Sequence, residues 1–197
     1  LLINYRLGPE HPCPAAGDDS VVAFEWLLDN GYKGTDIALA GDSAGGGLAL
    51  ATLVASRDRG LEMPASGVAI SPWADLTCSN EAYQSKAADD PMVTPHGLRR
   101  MAGLYLGEGN AEHPYASPNL AELAGLPPLL LHVGSDEILL DDAVAFEKKA
   151  RAAGVECELE VWDDMIHVWH AFHPILDEGK AGIQRIGEFL VSKWGSA

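Results

Sequence analysis

The stretch Gly41-Asp42-Ser43-Ala44-Gly45 limits what this chain can fold into more than any other. The apolar run before it, residues 36–40, predicts a short buried strand, and residues 48 to about 56 predict a helix. A serine between glycines at a strand-to-helix turn forms the nucleophile-elbow pattern G-x-S-x-G. A reactive hydroxyl must stand clear of the backbone at a strand end. The turn is therefore sharp, and Ser43 is expected to be strained. Gly41 and Gly45 are expected to be bare because strand and helix pass close together there. The helix start would also aim free N–H groups at negative charge forming beside Ser43.

The rest of the chain repeats the strand-helix alternation. Strands are expected at residues 1–5, 68–70, 129–133 and 156–162, and helices at 15–30, 95–105, 138–153 and 179–194. Residues 6–14 are proline-rich and exclude a helix. In 156–162, Cys157, Leu159 and Val161 alternate with glutamates, which suits a half-wet strand near a sheet edge. The pattern predicts an α/β fold with a mostly parallel sheet covered by helices on both faces. It fits a single catalytic domain over residues 1–197, with 73–125 as an excursion over the active-site end of the sheet. Opening directly in a strand, without a methionine, the domain is expected to lack an N-terminal part, which leaves a signal peptide or upstream domain open.

In such sheets the active site lies beyond the carboxyl ends of the strands. Ser43, Asp136 and His167 each follow a strand end, in the order serine, acid, histidine. Ser43 would be the nucleophile, His167 the general base and Asp136 the carboxylate that orients the imidazole. The Ala44 N–H would receive the oxyanion. Glu137, Asp141 and Asp142 stand nearby. Asp136 is preferred as the acid nearest the strand end, with Asp141 next. Asp42 is expected to order the elbow by hydrogen bonding. Trp73, Ile138, Leu139 and Val168 are candidates for the substrate pocket. His170 and His173 continue a regular spacing after His167, but no converging carboxylate or cysteine set accompanies them, so no metal is expected. His11, His96, His113 and His132 read as structural.

A net charge of −16 argues against nucleic acid and anionic membranes as partners. No apolar run approaches the ~20 residues of a membrane span. The cysteines Cys13, Cys78 and Cys157 are scattered, which suggests a reducing compartment and a cytoplasmic location.

Together, Tyr5-Arg6-Leu7-Gly8-Pro9-Glu10-His11-Pro12, Gly41-Asp42-Ser43-Ala44-Gly45-Gly46, Asp136 with Asp141-Asp142, and His167-Val168-Trp169-His170 resemble the bacterial hormone-sensitive-lipase-like esterases. The resemblance runs from the first residue to the last helix. It implies an α/β-hydrolase fold and cofactor-free hydrolysis of short- to medium-chain carboxylic esters through Ser43, Asp136 and His167 and an acyl-enzyme. It also implies a homodimer formed through strand 156–162 and adjacent helices. Gly8 and Cys13 depart from the family's usual alanine and aromatic, with only local packing effects expected. The family's upstream His-Gly-Gly-Gly loop and helical cap are not in these residues, so a chain truly starting at Leu1 is expected to show little or no esterase activity. An amidase, or a ligand receptor on the same scaffold, is the alternative reading.

Overall fold

A computed structural model describes residues 1–194; the last part of the expected domain, 195–197, lies outside the described residues. Four strands, β1 (Ala38–Asp42), β2 (Ser66–Ile70), β3 (Leu129–Gly134) and β4 (Cys157–Trp162), form a fully parallel sheet in the order β1-β2-β3-β4. The helices are α1 (Ala15–Asp29), α2 (Ala44–Asp58), α3 (Ala82–Ser85), α4 (Pro95–Leu106), α5 (Leu140–Ala152) and α6 (Asp177–Lys193).

Alternation along β3 builds the two layers. Leu129, Leu131 and Val133 join Leu50, Leu53 and Val54 of α2 and Phe146 and Ala150 of α5 in the larger core. Leu130 points the other way, with Val68, onto Phe189 of α6. A strand buried on both sides must be apolar at every position, and β3 is fully buried along its length. β4 differs. Glu158 and Glu160 on its α6 side both pair with Arg185, so that face is half-covered rather than simply wet.

The expected strand at residues 1–5 does not form: this segment has no regular structure, and Leu1 and Leu2 are exposed. A strand persists only where a neighbouring backbone completes its ladder, and the described sheet ends at β1. Arg6 instead docks on α1 through Asp19, with its Nε and Nη2 on the carboxylate at 3.0 and 2.7 Å. β1 starts later than expected because Gly34–Asp36 forms a 3-10 turn, and it runs on through Asp42 because Asp42 pairs with Ile70. α2 starts at Ala44 rather than near residue 48, so Gly45, Gly46 and Gly47 are helical despite their low propensity. Contact explains the last two. A Cβ on Gly47 would lie 2.0 Å from the Trp73 carbonyl oxygen, and one on Gly46 3.1 Å from the Pro72 Cα.

Residues 73–125 contain α3 and α4 and carry a separate apolar cluster, in which Trp73, Leu76, Tyr83, Leu98 and Ala102 meet Ile138 and Leu139. No described helix is long and apolar enough to cross a membrane.

Candidate active site

The elbow is held by its neighbours' backbone. Ser43 takes φ 53° and ψ −121°, a strained conformation for a residue with a side chain. Its N–H donates to the Ile70 carbonyl at 2.8 Å, and its own carbonyl accepts from the Trp73 N–H at 2.9 Å and the Gly47 N–H at 3.1 Å. Gly41 is indispensable here, since a Cβ would fall 2.1 Å from the Gly45 carbonyl oxygen. Gly45 itself has open space, contrary to the expectation that both flanking glycines are sterically required. Asp42 does not order the turn. Its side chain is exposed and makes no hydrogen bond among the described residues, and the elbow is held by the backbone bonds above.

His167 bridges the site. Its Nε2 lies 2.9 Å from the Ser43 Oγ, and its Nδ1 lies 2.7 Å from Oε2 of Glu137. A proton on Nδ1, donated to the carboxylate, leaves Nε2 as the acceptor for the serine hydroxyl. The imidazole is 5% exposed and Glu137 is fully buried.

The carboxylate facing the imidazole is therefore Glu137, and the expectation for Asp136 is corrected. The Asp136 carboxylate is partly exposed, accepts from the Ser135 Oγ at 3.1 Å and sits 4.0 Å from the Lys86 ammonium. After β3 ends at Gly134 the chain turns back. The Gly134 N–H donates to Glu137 Oε1 at 2.6 Å, which closes the turn with Glu137 inward and Asp136 outward. The longer glutamate side chain can reach the imidazole from one residue further on. Asp141 and Asp142 are occupied elsewhere. Asp141 accepts from the Ala82 N–H at 2.8 Å, and Asp142 accepts from the Ala74 and Asp75 N–H groups, each at 3.0 Å, and from the Asn80 amide at 2.7 Å. Sequence position alone could not separate Glu137 from Asp136. The one available signal is the apolar Ile138-Leu139 pair directly after Glu137, which draws that side of the turn into the core.

A cavity of about 270 Å³ opens beside the elbow, between Ala44 and Gly47 of α2 and Trp73, Leu104, Tyr105 and Tyr115. Of the expected pocket residues, only Trp73 lines it. Ile138 and Leu139 are fully buried in the core under α4, since α5 begins only at Leu140 and the two residues before it plug the base of that layer. Val168 is not on the cavity wall. It takes a left-handed conformation, φ 51°, and its N–H donates to the Ser71 Oγ at 3.0 Å. Ala44 is the first residue of α2, so its N–H has no partner within the helix and is free for an anion.

His170 does not approach a metal set; among the described residues no group of three or more His, Cys, Asp or Glu side chains could hold one. Its Nε2 lies 3.0 Å from Nδ1 of His132 on β3, which ties the segment after His167 back to the sheet. Oε2 of Glu160 is 3.3 Å from the other His132 nitrogen, without hydrogen-bond geometry. Burial pushes both imidazoles down from 6.5 to about 4, with the Arg185 guanidinium adding to the effect at His132 and His132 adding to it at His170. Below pH 6.5 the unfolded chain binds protons that the folded chain refuses. Stability should then fall with pH between about 6.5 and about 4. The loss is up to about 3 kcal/mol per imidazole. Urea midpoints across that window check this, and a flat profile would contradict it.

A family profile for the alpha/beta hydrolase fold matches residues 1–171. The chain belongs to that family. It is 47% identical over 195 residues to an acetyl-hydrolase from Streptomyces hygroscopicus, covering 99% of this chain and 65% of that protein. To an esterase from Acinetobacter venetianus it is 35% identical over 191 residues, covering 96% of this chain and 63% of the other. Among solved structures, an esterase/lipase from an uncultured bacterium superposes with a TM-score of 0.96 at 58% identity, covering 99% of this chain and 66% of that one. An esterase of the bacterial hormone-sensitive lipase family superposes at 0.96 with 54% identity, covering 98% and 65%. This α/β-hydrolase is thus hormone-sensitive-lipase-like, as its motifs imply, and spans about two thirds of the length of these relatives.

Proposed function

We propose that this α/β-hydrolase is a serine carboxylesterase whose triad is Ser43, His167 and Glu137. The observation that carries the reading is the single imidazole held 2.9 Å from a hydroxyl on one side and 2.7 Å from a carboxylate on the other. Ser43 Oγ attacks the ester carbonyl carbon while His167 Nε2 takes its proton. Glu137 keeps the Nδ1 proton in place and stabilises the imidazolium. Negative charge collects on the former carbonyl oxygen and meets the Ala44 N–H at the start of α2, a donor worth about 3 kcal/mol in comparable sites. Collapse breaks the bond to the alcohol, which leaves with the His167 proton, and an acyl group remains on Ser43. Water then attacks this acyl-enzyme with His167 as base, and the acid is released.

The apolar cavity supports the substrate class. At about 270 Å³ it sits at the lower end of small-molecule sites, which suits a short- to medium-chain acyl group. Across a series of p-nitrophenyl esters, kcat/KM of the intact protein is expected to peak at short or medium chains and to fall for long ones. A rate still rising at long chains would overturn that assignment. β4 is an outer strand of the sheet among the described residues, which supports pairing of two copies there.

A further inference from the structure

The turn leaving β2 touches all three parts of the site, although it contributes nothing to the triad itself. The Ile70 carbonyl accepts from the Ser43 N–H, and the Trp73 N–H donates to the Ser43 carbonyl. Between them Ser71 is fully buried with φ 45°, the left-handed region that favours glycine. What a glycine could not supply is the hydroxyl. Ser71 Oγ donates to Glu137 Oε1 at 2.8 Å and accepts from the Val168 N–H at 3.0 Å. Its own N–H donates to the His132 carbonyl at 2.7 Å, so the side chain projects from a point anchored to β3.

We propose that Ser71 is a positioning residue of the triad, whose one hydroxyl fixes both the Glu137 carboxylate and the backbone next to His167, and so sets the imidazole against Ser43. The inference rests on the triad reading above. The Gly134 N–H and the Ser71 hydroxyl together hold Oε1, which presents Oε2 to the imidazole. Without the hydroxyl, Oε1 keeps only the Gly134 N–H, and the carboxylate is freer to turn about its last side-chain bond and carry the imidazole on Oε2 with it. The Val168 N–H at the same time loses its acceptor, and with it one tie on the His167 backbone.

The test is made in the intact protein with Ser71→Gly and Ser71→Ala, using a short-chain p-nitrophenyl ester and a thermal melt of each variant. The expected result is a fall in kcat of about tenfold to a hundredfold with KM within about twofold of the parent. The downfield NMR resonance of the His167 Nδ1 proton should shift or broaden in the same variants. In a Glu137→Gln background Ser71→Gly should lower kcat by less than about threefold, because groups that act as a unit are not additive. Turnover within about twofold of the parent, or an equal factor in both backgrounds, would overturn the proposal. Should Ser71→Ala fail to fold, Ser71→Gly, whose backbone suits the positive φ, carries the test. A Ser71→Gly protein that also fails to fold would assign the residue to stability instead. An unsubstituted protein with neither turnover nor the downfield proton would sink the triad reading itself, a result distinct from failure at Ser71.

Discussion

Glu137→Gln is expected to lower ester turnover by about a thousandfold to ten-thousandfold, the scale seen when the acid of a hydrolytic triad is made neutral in place. The glutamine amide can turn an N–H toward Nδ1 and stabilise the wrong tautomer, leaving a proton on Nε2 where the serine proton must go. Asp136→Asn, one residue away, is expected to stay within about threefold of the parent, because its carboxylate is partly exposed and among the described residues bonds Ser135 and, at a distance, pairs with Lys86. Steady-state kinetics on the two proteins side by side decide the matter. Equal losses in both, or a loss only in Asp136→Asn, would return the acid to the position nearest the strand end.

The second large effect is on folding. Gly41→Ala and Gly47→Ala each drive a Cβ to within 2.1 and 2.0 Å of a backbone carbonyl oxygen, at Gly45 and Trp73 respectively. Neither obstacle can swing aside as a side chain could. Each substitution should cost about 3 kcal/mol or more, and the protein should accumulate poorly or melt far below the parent. Gly45→Ala provides the contrast. It meets nothing within 4 Å and lies in α2, so it should be neutral or gain up to about 1 kcal/mol. Thermal melts of the three would expose an error: equal destabilisation at Gly45 would mean that the strand-helix approach is closer than described.

Much of this was legible in residue order. The apolar runs marked β2 and β3 closely because strands buried on both faces must be continuous in hydrophobicity, and the apolar–glutamate alternation marked β4, which is only partly buried. Ser43 and His167 were legible because an elbow glycine pattern and a histidine after the last strand leave few other arrangements on one rim. The acid was not. Asp136 and Glu137 are adjacent, and which one turns inward depends on how the Gly134 N–H closes the turn, a tertiary detail with no periodic signature. For the same reason the sequence leaves Ile138 and Leu139 as candidates for pocket or core: the residue at which α5 begins decides which they face. The segment at residues 1–5 has strand-like composition, but composition cannot provide the neighbour that a strand needs. Ser71 left no trace in the sequence, since a buried serine after a strand is common and only its two hydrogen bonds distinguish it.

The most direct measurement is peptide-mapped labelling of the intact protein with an organophosphonate ester mimic. The account predicts one stoichiometric adduct, on Ser43, formed far more slowly after Glu137→Gln and at an unchanged rate after Asp136→Asn. An unlabelled Ser43, an adduct on another residue, or slowing by the Asp136 change alone would contradict it.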